Sequence, residues 1–442
     1  MKNTNKIIIF SILLNSFLGF SQEKLSKDKA VNIAFENNYD IKVENNNVKA
    51  AENNASIYNS GYLPSVSANS GANYLDKNND NEYQNGDKTN SDTQTTSYNA
   101  SVGLNYTLFD GFGRKYNYQK LQELYNLSEI QAKQIMENTV LQLLTSYYEI
   151  ARLTQSKNLQ KKSLEISKDR SQREIYNYEY GQNTQLDVLN SEVDVNNDSI
   201  SLLNINRELA NAKRNLNVIL GRNVNIDFEV DTTVVYALEL NLENLLLSAN
   251  SQNKILLQAE KNVELSNYNL KINKSTWYPN IGINGGYGWN SSDFDSDVVN
   301  TMSLSSQTSK GLNGGVSLFW NFFDGGARKT RIQNAKIAID NSNIKKEQIG
   351  QELERNINNA WETYQNALYI LQAEQKNVET NKRNFSRSEE QFKLGQIISV
   401  EFRLAQVNLL NAANNYNRAK YTAKIAELNL LQLSGELLGA EY

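Results

Sequence analysis

The segment Leu104-Asn-Tyr-Thr-Leu-Phe-Asp110-Gly-Phe-Gly-Arg114-Lys115 has a counterpart 214 residues further along the chain, Leu318-Phe-Trp-Asn-Phe-Phe-Asp324-Gly-Gly-Ala-Arg328-Lys329. In both copies an alternating apolar and polar pattern, typical of a β-strand, precedes a long stretch that contains no proline and little glycine. Asp110 and Asp324 are suited to cap a helix, and Gly111 and Gly325 ease the turn into it. The segment therefore predicts a strand-to-helix turn that occurs twice.

Two further landmarks extend the repeat to almost the whole chain. Pro64 and Pro279, the only prolines, each open an alternating segment and lie 215 residues apart. Tyr180-Gly181-Gln182 is matched by Leu394-Gly395-Gln396, 214 residues later. Three landmarks in the same order at nearly the same spacing indicate an internal duplication. We expect a first structural repeat over residues 22–221, a linker over 222–239 and a second repeat over 240–437.

Each repeat is predicted to contain one β-hairpin, over residues 64–109 and 279–323, entered at Pro64 and Pro279. We expect strands of about ten residues, separated by polar loops near residues 75–96 and 290–311. The alternation alone fits a soluble sandwich as well as a membrane sheet. Aromatic residues at the strand ends favour the membrane, where such residues gather at the interface with water. These residues are Tyr62, Phe109, Phe112, Trp277, Tyr278, Phe322 and Phe323.

The remaining parts of each repeat are predicted to be helical. Helices are expected over residues 24–60 and 240–276, and helical hairpins over 111–221 and 326–434, because apolar residues recur there at helical spacing. The hairpins are expected to turn at Gly181 and Gly395. After the first turn, Thr184-Gln-Leu-Asp187 has the form of a capping box that starts the returning helix. Long polar helices with narrow apolar stripes need partners along their length.

The composition excludes several classes of function. None of the 442 residues is Cys or His, which excludes disulfides, the usual zinc sites and a Ser-His catalytic pair. We expect no cofactor and no metal. The 45 basic and 49 acidic residues give no basic field for nucleic acid. A basic start, an apolar stretch from Ile7 to Phe20 and small residues before Gln22 predict a signal peptide over residues 1–21, with a membrane anchor as the alternative.

The ordered set of landmarks resembles the TolC-like outer-membrane efflux proteins. The resemblance implies a mixed α and β membrane protein, in which the duplicated unit gives four transmembrane β-strands and long antiparallel helical hairpins. It implies a homotrimer, whose twelve-stranded β-barrel continues into a periplasmic α-barrel. The expected location is the outer membrane of a Gram-negative bacterium, with a large periplasmic part. The expected partners are other copies of the chain, outer-membrane lipid, a periplasmic adaptor and, indirectly, an inner-membrane transporter.

The resemblance also implies roles for residues near the helical turns. Asp187 and Glu401 become candidates for a pore constriction, although both would also suit the first turn of a helix as partners of its dipole. Two positions depart from the best-known member of the family, Phe392 in place of Tyr and Ile397 in place of Arg, so the contacts that hold the pore closed are not assigned. The candidates for docking the adaptor, which could instead be ordinary turn residues, are Gly181, Gln182, Gly395 and Gln396.

The function implied is a passive exit duct for small molecules in a tripartite efflux system. An export duct of a type I protein secretion system and a secreted structural coiled coil are the alternatives. An exported enzyme that uses paired carboxylates is disfavoured, because acids such as Glu389 and Glu390 lie on a predicted exposed helix without a pocket. The cationic residues after each turn could bind lipid headgroups or lie on a solvated helix face; they are Arg114, Lys115, Arg328 and Lys329.

Overall fold

The computed structural model describes residues 23–236, 240–296 and 304–440. The predicted signal peptide, residues 1–21, lies outside the described residues. The chain divides into two compact units. We call them the strand unit, which comprises described residues of Asn47–Glu129 and Ala259–Lys346, and the helical unit, which comprises described residues of Ile130–Gln258, those up to Asn46 and those from Glu347 onward.

The described elements follow one another in the same order in each half of the chain. The strands are β1 (Glu23–Leu25), β2 (Ser65–Glu82), β3 (Lys88–Phe109), β4 (Phe228–Val230), β5 (Asn280–Ser296) and β6 (Ser306–Phe319). The helices are α1 (Lys27–Asn37), α2 (Tyr39–Asn54), α3 (Gly113–Glu179), α4 (Gln185–Ile219), α5 (Leu242–Gln252), α6 (Lys254–Ser275), α7 (Ala327–Lys393) and α8 (Ser399–Ser434). Short 3₁₀ turns cover Ile57–Asn59 and Leu437–Gly439.

The strand unit contains an antiparallel sheet in the order β2-β3-β5-β6. The two hairpins pair in the same register, because Ser65 lies opposite Asn105 and Asn280 lies opposite Phe319, which are equivalent pairs of the two repeats. Strands β3 and β5 join the repeats, and Val102 lies opposite Tyr287. Strands β2 and β6 form the two edges of the sheet, with no described strand beyond them.

The strands are longer than the sequence suggested. β2 and β3 contain 18 and 22 residues, and β5 and β6 contain 17 and 14. The prediction of a polar loop over residues 75–96 was wrong, because pairing continues up to Glu82 and Lys88. The second expected loop, over 290–311, is also largely strand, although residues 297–303 lie outside the described part. Polar side chains end the apolar face of a sheet, but the hydrogen bonds between strands need only backbone groups and can continue past that point.

One core cluster of the helical unit brings together α1, α3, α4 and α8 with the short parallel pair β1 and β4. Tyr147, Tyr148 and Tyr421 are buried there together with Phe228. The Tyr147 hydroxyl donates to the Leu25 carbonyl oxygen at 2.7 Å and accepts from the Asp231 N–H at 2.8 Å. Burial raises the pKa of Tyr147 to about 12. This hydroxyl therefore stays neutral and links the last residue of β1 to the residue that follows β4.

The duplication extends to single side chains of the helical unit. Asn38 separates α1 from α2, accepts from the Asp40 and Ile41 N–H groups and donates to the Ile219 carbonyl oxygen at 2.8 Å. Asn253 makes the equivalent contacts between α5 and α6 and donates to the Leu433 carbonyl oxygen at 3.0 Å. One amide thus caps a helix and closes the end of another in both repeats.

Candidate functional site

The two strand-to-helix turns have the same hydrogen bonds. Asp110 accepts the Arg114 N–H at 2.7 Å, and Asp324 accepts the Arg328 N–H at 2.8 Å. Each carboxylate therefore satisfies an N–H group of the first helical turn that has no partner within the helix. β2 and β5 begin directly after Pro64 and Pro279, at Ser65 and Asn280.

Glycine is needed in these turns for two different reasons. Gly111 and Gly325 have φ values of 68° and 67°, in the left-handed region that glycine enters without strain. A Cβ atom on Gly111 would also lie 2.3 Å from the Ser275 carbonyl oxygen, whereas one on Gly325 would meet nothing within 4 Å. The two turns have the same conformation but different neighbours in a single chain.

The arginine in each turn ties the helix start to the end of the sheet. The Arg114 guanidinium lies 5.3 Å from the centre of the Tyr62 ring and donates to the Gly61 and Leu108 carbonyl oxygens. Arg328 lies 4.6 Å from the Trp277 ring centre and donates to the Asn321 carbonyl oxygen. These arginines are structural, so neither the lipid-headgroup interpretation nor a solvated helix face describes them. Lys115 and Lys329 are exposed.

One face of the sheet is apolar and uncovered in the single chain. Along β3 its apolar residues run from Tyr98 to Leu108, about the length of a membrane-spanning strand, and polar residues follow on both faces toward Lys88. The exposed members of this face include Val66, Tyr74, Tyr98, Val102, Leu104, Tyr287, Trp289, Leu312, Val316 and Leu318. None of the described helices has an apolar stretch long enough to cross a membrane.

The two turns between long helices also share one geometry. Gly181 and Gly395 have φ values of 72° and 71°, and no atom lies within 4 Å of a Cβ on either. The N–H of Gln182 donates to the Asn177 carbonyl oxygen and that of Gln396 to Gln391, which is the C-cap arrangement that ends a helix with a left-handed glycine. Gln182 and Gln396 are exposed. The backbone turn is thus internally satisfied, and its side chains are free for a partner.

A large apolar side chain is exposed at each turn, directly before the glycine. Tyr180 is 79% exposed and Leu394 is 72% exposed. Neither residue was among the predicted docking candidates, although their duplicated position beside Gly181 and Gly395 could have identified them. A single exposed apolar residue is common on protein surfaces, so what distinguishes these two is their equivalent place in both repeats.

The two acidic candidates differ in their surroundings. Asp187 and Thr184 form a capping box, in which Asp187 accepts the Thr184 N–H at 3.0 Å. These hydrogen bonds from the Thr184 side chain and backbone hold the pKa of Asp187 below its usual range. Glu401 occupies the same place in α8, but Ile398 at its N-cap has no side-chain acceptor. Glu401 is exposed and has no hydrogen-bond or ion-pair partner among the described residues.

A buried ionic cluster connects α8 to α3 and α4. Arg403 donates to both carboxylate oxygens of Asp198, at 2.8 and 2.9 Å, and Ser167 donates to the same carboxylate at 2.6 Å. Arg170 pairs with Asp194 and donates to the Ser399 carbonyl oxygen. Burial alone would raise the pKa of Asp198, but the hydrogen bonds from Arg403 and Ser167 outweigh it and leave that pKa below its usual range.

The aromatic residue at one departing position packs inside its own hairpin. The Phe392 ring is stacked on Phe402 with 4.7 Å between ring centres, and Phe385 lies 5.5 Å from Phe402. Phe392 thus joins α7 to α8. The ionic cluster, which no sequence signal indicated, is one of the contacts that join α8 to the first hairpin.

The two repeats each match a known protein family. The family model for outer membrane efflux proteins matches residues 30–222 and again residues 245–436, so the two matches start 215 residues apart, as the repeats do. The chain belongs to the outer membrane efflux protein family. This efflux protein is 20% identical over 438 residues to the outer membrane efflux protein BepC of Brucella suis, which covers 99% of this chain and 91% of that protein.

Solved structures show the same fold. The CmeC outer membrane channel of Campylobacter jejuni matches with a TM-score of 0.75 and 15% identity, over 93% of this chain and 86% of that chain. The open state of the MtrE outer membrane channel of Neisseria gonorrhoeae matches with a TM-score of 0.69 and 15% identity, over 93% and 89%. The expected fold class, a duplicated unit with one four-stranded sheet and long helical hairpins, is confirmed.

Membership of this family confirms the function and the location that the sequence predicted. This efflux protein is an outer-membrane channel of an efflux system, located in the outer membrane with a large periplasmic part. The apolar face of its sheet therefore has lipid as its natural cover. The roles of the helical turns and of Glu401 stay predictions.

Proposed function

We propose that three copies of this efflux protein close one twelve-stranded barrel and one helical tube, which serve as a passive exit duct for small molecules. A periplasmic adaptor docks at the helical turns and links the duct to an inner-membrane transporter, which supplies the energy. The duct itself performs no chemistry. The observation that carries this proposal is that several contacts made by one repeat have an unfilled counterpart in the other, where a neighbouring copy would complete them.

The edges of the sheet give the first part of the argument. In the duplicated chain β3 corresponds to β6, and β5 corresponds to β2. If the β3–β5 pairing recurs between copies, β6 of one copy lies beside β2 of the next. The pair Val102 and Tyr287 then becomes Val316 and Ala72. Both members of the new pair lie on the apolar face of the sheet, so the register keeps this face continuous.

The turn at Gly325 gives the second part. Gly111 packs against Ser275 and Tyr278, which belong to the second repeat. The same relation moved by one repeat places Ser60 and Leu63 of the next copy against Gly325, where the single chain leaves open space. Ser60 and Ser275 already share a local geometry, since each hydroxyl donates to the carbonyl oxygen of the isoleucine three residues before it.

An apolar stripe on α4 gives the third part. Its residues recur at helical spacing and are exposed in the single chain; they are Leu186, Leu189, Val193, Ile200 and Leu203. The equivalent stretch of α8 contains Arg403, Gln406 and Asn417, which bond to α3. We infer that the α4 stripe packs on a neighbouring copy in the same way.

Barrel geometry supports the number three. Four strands per chain cannot close a barrel, and about eight strands leave an interior that side chains fill. Three copies are therefore the smallest ring of this sheet that leaves an open passage.

A cysteine cross-link tests the assembly, and the chain contains no native cysteine that could interfere. In the Ala72→Cys/Val316→Cys variant, oxidation should produce a covalent trimer on denaturing gels without reductant, because paired residues of neighbouring strands are close enough for a disulfide. Val102→Cys/Tyr287→Cys is the matched control, which should cross-link within one chain and leave its mass unchanged. Asn73→Cys/Val316→Cys is out of register and should not cross-link. Monomers in the first variant would contradict the proposed seam.

A transport assay tests the function separately. Deletion of the gene in its own host should raise the accumulation of a fluorescent efflux dye, and the wild-type gene should restore export. Loss of a secreted protein with unchanged dye accumulation would favour the protein-secretion alternative instead.

A further inference from the structure

The helical unit contains a cavity of about 550 Å³ between α3, α7 and α8. Its volume lies within the range of small-molecule sites, which are lined mainly by apolar side chains. The apolar lining comes from all three helices and includes Leu159, Ile166, Val378, Phe385, Leu409 and Leu410. The cavity has an apolar body that can hold a hydrocarbon ligand.

Two lysines give this cavity a positive sign. Lys162 on α3 and Lys382 on α7 line it from opposite helices, and both are exposed. In the described part of the chain neither ammonium has a hydrogen-bond or ion-pair partner. The lining carboxylate, Glu389, for which the sequence predicted no pocket, pairs with Lys393 at 2.8 Å and adds no unpaired negative charge. The unpaired charge at the cavity is therefore cationic.

We propose that this cavity binds an amphipathic anion, a molecule with a hydrocarbon body and one carboxylate or sulfonate head. The body would replace water along the apolar lining, and the head would lie between Lys162 and Lys382. The proposal goes beyond the exit duct and does not depend on adaptor docking. A neutral hydrocarbon would gain nothing from the two ammonium groups, and a purely ionic ligand would leave the apolar lining uncovered.

Binding at this place would act on the contact between the two helical hairpins. Ser163 and Gln406 also line the cavity, and the Gln406 amide donates to the Ser163 carbonyl oxygen at 2.8 Å. A ligand in contact with α3 on one side and with α7 and α8 on the other would therefore hold the hairpins together. Its affinity would depend on their arrangement.

Photoaffinity labelling tests the proposal on the full-length protein in lipid nanodiscs. The probe is a long-chain fatty acid that carries a diazirine, and labelled peptides are identified by mass spectrometry. We expect labels on residues 159–166, 378–389 and 406–413, displaced by unlabelled palmitate. The corresponding diazirine alcohol, which lacks the charge, should label these peptides about tenfold less. Equal labelling by acid and alcohol would overturn the proposed head-group site.

Variants connect the labelling to the cavity. Lys162→Ala/Lys382→Ala should reduce labelling about five- to tenfold, because each exposed ion pair contributes only modestly. Lys161→Ala, an exposed lysine on the same helix but outside the cavity lining, is the matched control and should label like the wild type. Ile166→Trp should block the cavity by filling it. No labelling of these peptides in the wild type, or labelling unchanged in the double variant, would refute the proposal; both lysines are exposed, so their removal leaves the fold intact.

Discussion

Replacement of Gly325 by alanine tests the turn geometry and the proposed seam between copies in one experiment. Gly325 has a φ of 67°, and alanine in this left-handed region costs about 1–2 kcal/mol. In a single chain the added methyl group meets nothing within 4 Å, so the conformational strain would be the whole cost.

The assembled protein should show a larger effect. At the equivalent Gly111, a Cβ atom would lie 2.3 Å from the Ser275 carbonyl oxygen and 2.8 Å from the Tyr278 Cβ. If a neighbouring copy presents Ser60 and Leu63 to Gly325 in the same way, the methyl group overpacks the seam at about 1–3 kcal/mol. Symmetry repeats this cost at each of three seams, which gives about 3–9 kcal/mol for the trimer.

The assay is the temperature at which the purified trimer dissociates on a denaturing gel. Gly86→Ala is the matched control, because Gly86 has a φ of 88° and open space around its Cβ but lies in the turn between β2 and β3. We expect the Gly325→Ala trimer to dissociate several degrees below both the wild type and Gly86→Ala. Identical dissociation of the two variants would refute the packing of a second copy at this turn.

Four further predictions concern the helical unit. Glu401→Ala should weaken the block of conductance by trivalent cations in planar bilayers, because a ring of Glu401 carboxylates would bind them; an unchanged block would remove Glu401 from the pore. Gly395→Trp should abolish export while trimers persist on gels, and normal export would show that this turn is not the docking surface. Arg403→Ala should cost about 3–5 kcal/mol in urea titrations followed by circular dichroism, since it leaves the Asp198 carboxylate buried without its cation; a loss below 1 kcal/mol would contradict the ionic connection. The pKa of Asp198 is lowered in the folded protein, so its ionised carboxylate stabilises the fold above the unfolded pKa of about 4, and this stabilisation is lost as pH falls further. Asp198→Asn should therefore remove part of the acid sensitivity of the wild type. Equal acid sensitivity of the two proteins would count against this.

Local signals in the sequence predicted the turns well. The Asp-Gly pairs at 110 and 324 and the capping box at Thr184 act within one helical turn, so their residue types nearly determine their geometry. Strand length was predicted poorly, because the apolar alternation stops at Tyr98 while backbone pairing continues to Lys88. The change from apolar to polar residues therefore marks a change in the surroundings of the side chains, not the end of backbone pairing.

Long-range contacts could not be predicted from the sequence. Arg403 and Asp198 lie 205 residues apart, and no motif relates them. Their equivalents in the other repeat, Leu189 and Ala412, carry no charge, so the duplication gave no second signal. At these positions the contact between hairpins of one chain is ionic, whereas the proposed contact between copies is apolar.

The most direct test of the exit duct is the conductance of the trimer cross-linked through Ala72→Cys and Val316→Cys. After reconstitution in a planar bilayer, the covalent trimer should give stepwise ion currents, and reduction of its disulfides should leave those currents in place. A covalent trimer that inserts without current, or currents that arise only from uncross-linked single chains, would contradict the account.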